Sequence, residues 1–368
     1  MLTVPGSEYG HVEEASEYRF FLHRHWSLYD AMYHSPYMAA KLGVWNSQGT
    51  GKLLELLARM GVPLHQCKQS YQFMTPSLRA HFASQMGDKG ILEAYGLTNP
   101  GVTFKSFYRY NSFKNPVAAS DVVHAATALT EMYGVPAYSG MGVEAEGGGV
   151  EGHTGMRADQ IMGKGIQAAL DLQRTIVKKA SAMLEGSSSI HRCHRLHYAY
   201  LSRATSWGAG DKVGSGGMGG GGGGMGGGGA GVSVEHSFGR PTVLAKLGQY
   251  IMDIKRNMPK KAGGWAGSSL LPFVLLSEKL DGNFLVVGIS PFEALAGGEE
   301  LTPEQTQKLF PLTNFRQFFH LAGQLLGAKV RNISFDANVV EVGRNDVQEF
   351  LGALDDSLRK ASPRYNTA

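Results

Sequence analysis

Three stretches of this 368-residue chain gather side chains able to do chemistry. "HRCHRLH" (191–197) holds His191, Cys193, His194 and His197, all competent metal ligands. "YRFFLHRHWSLYDAMYHSPY" (18–37) sets His23, His25 and His34 among aromatic residues, and "GTGKL" (49–53) carries the Gly-Lys of a phosphate loop. None of them completes its motif. Structural zinc usually draws on paired C-x-x-C or H-x-x-x-H spacings, whereas His23 and His25 are two apart and point to different faces of a helix. Residues from 191 onward alternate as a strand, which is expected to send His191, Cys193 and His197 to one face and His194 to the other. A phosphate loop needs Gly at position 46 and Ser or Thr at 53, and the chain has Asn46 and Leu53. "GSGGMG" (214–219) satisfies G-x-G-x-x-G only because it lies in a glycine tract, with no strand immediately before it and no helix after. There is no G-x-S-x-G, H-E-x-x-H or Asp-His-His triplet. On this reading the sequence assigns no catalytic residue, metal ligand or cofactor.

Charge offers a different kind of site. The chain has 35 Lys+Arg against 31 Asp+Glu, a net +4 too mild to demand nucleic acid. Its distribution is uneven, with eight Lys/Arg against three acids between Gly155 and Thr205. A second basic cluster, "KLGQYIMDIKRNMPKK", spans 246–261. Arg174, Lys178, Lys179, Lys255, Arg256, Lys260 and Lys261 are therefore the candidate surface for DNA or an acidic partner. A solvated helix face is the plainer alternative. Two distant cysteines, Cys67 and Cys193, fit a reducing intracellular compartment rather than a disulfide framework. The N-terminus has neither the basic nor the apolar region of a secretory signal. No run of eighteen apolar residues exists, so no membrane span is expected.

The elements that would position these residues change character along the chain. Residues 1–140 read as mostly helical. "SPYMAAKLG" (35–43) and "TPSLRAHFASQMG" (75–87) each open on a capping hydroxyl followed by Pro and end on Gly. "TGKLLELLARMG" (50–61) has leucines at helical spacing, and "ASDVVHAATALTEMYG" (119–134) predicts a Ser120 cap and an apolar stripe of Val122, Val123, Ala126 and Leu129. A glycine-rich linker is expected at 141–155. The long amphipathic helix 159–185 follows, with Ile166, Leu170, Ile176, Val177, Ala180 and Leu184 on one face. Residues 208–231 lie in a tract (207–231) holding 16 of the 50 glycines and read as a disordered loop. Beyond it a strand at 232–238, a helix from Arg240, a hairpin at 271–290 turning on Asp281-Gly282, a helix at 313–328, a strand within 332–343 and a helix at 345–360 capped by Asn345 are expected. The fold class is mixed α/β, with a helical front and an α/β unit over 156–360.

The stretch from Tyr18 to Arg79 resembles the cell division cycle protein 45 family of replication-initiation factors. The likeness rests on "HWSLYD", "GVW", "LLELLARMGVPLHQCKQSYQFM" and then "ASDVVHAATALTE". Weaker echoes run on through "FGRPTVLAKLGQYI", "LPFVLLSEKLDGNFLVVGISP" and "NVVEVGRNDVQEFLGAL". The resemblance implies a catalytically inert relative of the DHH phosphoesterases and RecJ exonucleases, with a DHHA1-like C-terminal domain. It further implies a nuclear protein that joins the minichromosome-maintenance ring and the GINS complex as the CMG helicase. Single-stranded DNA and chromatin are its further expected contacts, with no membrane and no cofactor. Trp26, Tyr29 and Trp45 would be core residues.

Two departures qualify the likeness. The family's N-terminal DHH-like domain is absent, which reads as a truncated gene model or a fragment, and "KKAGGWAG" (260–267) lacks the His that follows the glycines of active DHHA1 domains. A fragment would leave apolar surface uncovered, with "FFLHRHWSLYD" and the 159–185 helix as the expected places. Two alternatives stay open: a piece of an active DHH-type exonuclease, and a stand-alone basic nucleic-acid-binding protein.

Overall fold

Capping chemistry is written locally into the front of the chain, and in the computed structural model it acts as expected at Ser35 and Thr75, whereas Ser120 lies inside its helix and donates to Glu17 instead. The structure describes residues 10–98, 101–111, 114–133, 158–186, 189–201, 238–258, 264–265, 271–290, 315–326, 330–334 and 336–361. After strand β1 (Gly10–Tyr18) come helices α1 (Leu28–Tyr33), α2 (Pro36–Leu42), α3 (Ser47–Arg59), α4 (Leu64–Cys67), α5 (Pro76–Gln85) and α6 (Lys89–Glu93). The Ser35 and Thr75 hydroxyls accept from the N–H groups of Met38 and Leu78, and Asn46 caps α3 through the N–H of Gly49. The "GTGKL" glycine thus has a packing reason: a Cβ on Gly49 would lie 1.9 Å from the Gly43 carbonyl oxygen.

The front is not purely helical, and here the sequence expectation is corrected. β1 pairs antiparallel along its whole length with β2 (Thr103–Asn111), from Gly10 opposite Asn111 to Tyr18 opposite Thr103. β3 (Lys114–Ala118) completes a three-stranded sheet in the order β1-β2-β3. Helix α7 (Ala119–Tyr133) then packs on this sheet and along α8 (Ala158–Glu185). Its buried face is Asp121, Ala125, Ala128 and Leu129; Val122 and Val123 are 45% and 62% exposed, contrary to the expected stripe. Gly165 of α8 explains the inward Ala125, because a Cβ there would come within 2.8 Å of the Ala125 Cβ.

The second sheet has the order β4-β5-β6-β7-β8, formed by His191–Arg192, His197–Leu201, Phe273–Glu278, Phe284–Ile289 and Val339–Val342. β5 and β6 are parallel and the other pairs antiparallel. Alternation divides its side chains between two cores. Phe273, Leu275, Leu285, Val287 and Ile289 face α9 (Pro241–Asn257) and join a continuous core that reaches back through α8 to Phe20. Val274, Leu276, Val286, Val340 and Val342 meet α10 (Phe315–Leu326) and α11 (Val347–Ala361) on the other side. α9 touches α2, α8 and this sheet, so it ties the front of the chain to the back.

The expected inward face of α8 is buried as read, from Ile166 to Leu184. The expectation that α8 and "FFLHRHWSLYD" present uncovered apolar surface is corrected, since Phe20, Leu22, Trp26, Leu28, Ile176 and Val177 are all buried. Asn345 lies inside a short 3₁₀ turn before α11 rather than at its cap. The linker 141–155, the loop 208–231 and nearly all of the strand expected at 232–238 lie outside the described residues. Among the described residues no helix is long and apolar enough to cross a membrane.

Candidate functional site

The densest polar cluster begins with a backbone reversal. Leu22, the one non-glycine residue at positive φ among the described residues (φ 47°), turns the chain after β1 into a 3₁₀ turn at His23–His25. This left-handed conformation costs roughly 1–2 kcal/mol, and burial of Leu22 holds it in place. The turn aims Arg24 back at the sheet. Its Nη2 donates to Glu17 Oε1 at 2.7 Å and to Asp121 Oδ2 at 2.9 Å, its Nε reaches Asp121 Oδ2 at 3.1 Å, and its Nη1 donates to the Tyr108 hydroxyl at 2.8 Å. His25 Nε2 lies 3.0 Å from the same Asp121 oxygen, and the Ser120 hydroxyl donates to both Glu17 oxygens.

Glu17 and Asp121 are 5% and 2% exposed, so their charges depend on Arg24. Burial opposes ionisation of Asp121, but the bonds from His25 and Arg24 overcome it and hold the carboxyl below its ordinary range. Burial likewise disfavours charge on Arg24, and the two carboxylates more than compensate, raising its pKa. This is a closed salt lock that joins residues 17, 24, 108 and 121. Its donors and acceptors are spent on one another.

The three histidines of the opening motif are not brought together as ligands. His23 is buried beside Tyr18 and Tyr71, and burial followed by the Arg24 charge pushes it down to about 3. His25 belongs to the lock, and His34 stacks on Trp26 at 4.4 Å. "HRCHRLH" is not one continuous strand either, which corrects the expected alternation. The chain turns between β4 and β5, with Cys193 N–H donating to the Leu196 carbonyl. His194 Nδ1 and the Arg195 N–H both meet Asp355 of α11, at 3.2 and 2.7 Å, while His197 stacks on Trp265 at 4.0 Å. Among the described residues no three His, Cys, Asp or Glu side chains converge as a metal site needs.

The predicted basic residues occupy two neighbourhoods. On α8, Arg174 stacks over Trp26 (4.7 Å to the ring centre) and pairs with Asp171 at 2.6 Å; Lys178 is exposed and Lys179 half-buried. On the last turn of α9, Lys255 and Arg256 are half-buried. The Lys255 carbonyl accepts from the backbone N–H of Trp265, and burial lowers the pKa of the Lys255 amine. Lys260 and Lys261 lie outside the described residues. In the first neighbourhood a cation lies over a tryptophan ring, a contact between distant segments that the sequence pattern does not announce.

Sequence reasoning also missed a cavity of about 370 Å³ next to the lock, where β1, α7, α8 and α9 meet. α9 lines it with Lys246, Gln249, Tyr250 and Asp253. Their i, i+3, i+4, i+7 spacing was the available signal, a polar row on a helix otherwise read as a basic surface.

The chain's resemblances to known proteins agree with one another. The CDC45 family profile matches residues 4–148 and 151–357. The Cell division control protein 45 homolog of Dictyostelium discoideum is 26% identical over 351 residues, covering 94% of this chain and 46% of the relative. Cell division control protein 45 of Saccharomyces cerevisiae is 27% identical over 369 residues, covering 92% and 50%. The homolog of Schizosaccharomyces pombe reaches 45% over 116 residues, 32% of this chain and 18% of that protein. The chain thus spans about half the length of the curated relatives it matches most fully. The crystal structure of CDC45 from Entamoeba histolytica superposes with a TM-score of 0.57 at 20% identity, over 95% of this chain and 58% of that one. At that identity the likeness speaks for the fold, the mixed α/β architecture read from the sequence.

Proposed function

The chain belongs to the CDC45 family, and we propose that it acts in DNA replication as a non-enzymatic subunit. In this reading it is a nuclear protein that assembles with the minichromosome-maintenance ring and the GINS complex and supports unwinding at origins and forks. The observation that carries the proposal is the family match over nearly the whole chain. Two structural features support it. The polar cluster around Arg24 joins β1, the turn at His23–His25 and α7, as befits a scaffold. The cations Arg174, Lys178, Lys179, Lys255 and Arg256 sit on two helices that are otherwise anchored in the main core, a rigid mount for a partner or a DNA backbone. Lys260 and Lys261 extend the second cluster in sequence.

Co-elution tests this reading. The purified chain is mixed with recombinant minichromosome-maintenance ring and GINS, and the fractions are assayed for DNA unwinding and for Mn²⁺- or Mg²⁺-dependent degradation of single-stranded DNA. Joint elution without degradation is expected. A chain that elutes alone and degrades single strands would instead be a piece of a nuclease. Partner-independent DNA binding that falls steeply with salt would mark a stand-alone binder.

A further inference from the structure

α9 carries two charged side chains into the cavity beside the salt lock, and neither is neutralised there. The Lys246 and Asp253 side chains form no hydrogen bond or ion pair among the described residues; Glu131 and His124 act on Lys246, and Arg256 on Asp253, only through space. They are seven residues apart, about 10 Å along a helix axis, too far to satisfy each other. Burial pushes Asp253 up to about 7 and lowers Lys246, as expected for charges that lack partners. Between them Tyr250 is 2% exposed, and its hydroxyl has no hydrogen-bond partner. Phe20, Phe21 and Phe104 contribute apolar wall. Glu17 and Asp121 line the same cavity, but their oxygens are bonded to Arg24, His25 and Ser120 rather than to Lys246.

We propose that this cavity is a binding site for a small bipolar molecule. Such a ligand carries a cationic nitrogen at one end, an anionic oxygen at the other, and a short apolar chain between them. The amine would meet Asp253, the acid Lys246, and the chain the phenylalanine wall. The volume, about 370 Å³, is at the small end of ligand pockets. A ligand with a single charge leaves the opposite, half-buried protein charge unpaired, so the site selects for both.

The probe is 6-aminohexanoate, with hexanoate and hexylamine as single-charge controls, titrated calorimetrically into the full chain. The expected result is saturable binding of 6-aminohexanoate, with either control about ten- to a hundredfold weaker. Asp253→Asn and Lys246→Met each remove one charge at similar volume, so both variants should melt cooperatively while losing affinity by the same factor. Three outcomes overturn the proposal: no binding of 6-aminohexanoate, equal binding of hexanoate or hexylamine, or binding unchanged in both folded variants.

Discussion

The inward face of the front sheet carries Glu17, and the helix covering it turns Asp121 toward the same interior. In the second sheet Phe273, Val274, Leu275 and Leu276 bury hydrocarbon on both faces in succession. One region is therefore held around two buried carboxylates that share a single guanidinium, with His25 and Ser120 bonded to their oxygens as well. The other distributes its stability over many apolar contacts, none of which is indispensable in charge terms. The cavity beside α9 shows the same physics from the other side. Where an arginine meets the buried acids the result is a lock, and where the Asp253 and Lys246 side chains find no bonded partner among the described residues the result is an opening. Pairing, more than burial, separates structural charge from charge available to a ligand.

The comparison can be broken most severely at the second sheet. Leu275→Asp puts an unpaired carboxylate into the apolar core at a fully buried position, at a cost above about 4 kcal/mol. Circular dichroism should show no cooperative urea transition, and a normal melt would mean that the sheet interior tolerates charge. Arg24→Met should cost about 3–5 kcal/mol, because Glu17 and Asp121 are then buried without a partner. This loss should depend on pH. Asp121 has a depressed folded-state pKa, so its stabilising contribution is present above the ordinary carboxylate value and lost as pH falls through the depressed one. The gap between wild type and Arg24→Met in chemical denaturation should therefore narrow under acid, and a gap independent of pH would contradict the lock.

Smaller effects sharpen the contrast. Asp253 has a raised folded-state pKa, so folded chains bind its proton more tightly and stability falls as pH rises from about 4 to about 7. Asp253→Asn removes that penalty and should raise stability by about 1–3 kcal/mol at pH 8, with the gain vanishing near pH 4. Destabilisation at pH 8 would show that Asp253 is satisfied after all. Arg174→Ala deletes a half-exposed stack on Trp26 and should cost no more than about 1 kcal/mol in thermal unfolding. A larger cost would make Arg174 a structural residue and remove it from the partner surface.

What could be read from the sequence was what neighbours in sequence decide. Ser35-Pro36 and Thr75-Pro76 put cap and first turn side by side, and α11 repeats apolar residues from Val347 to Leu358 at helical spacing. Strand β1, "GHVEEASEY", has no apolar alternation, because its inward Glu17 is satisfied by Arg24 after a chain reversal. On α7 only Leu129 of the expected stripe is buried, for a related reason: the lock draws Asp121 inward and α8 packs against Ala125, which leaves Val122 and Val123 outside. The bonds of this cluster reach across as many as 103 positions in sequence, and no local pattern encodes such a distance. Among the basic residues the charges are legible in the sequence, but not the stacking of Arg174 on Trp26, which comes from a distant segment of the chain.

The proposal of a partner-bound replication subunit is tested most directly on those cations. Binding of the chain to the minichromosome-maintenance ring with GINS should be measured at physiological salt for the wild type and for a variant with Arg174, Lys178, Lys179, Lys255 and Arg256 all changed to Ala. The wild type is predicted to assemble, and the variant to melt as a folded protein while binding at least about tenfold more weakly. Equal binding by the two, or no assembly by either, would contradict the account.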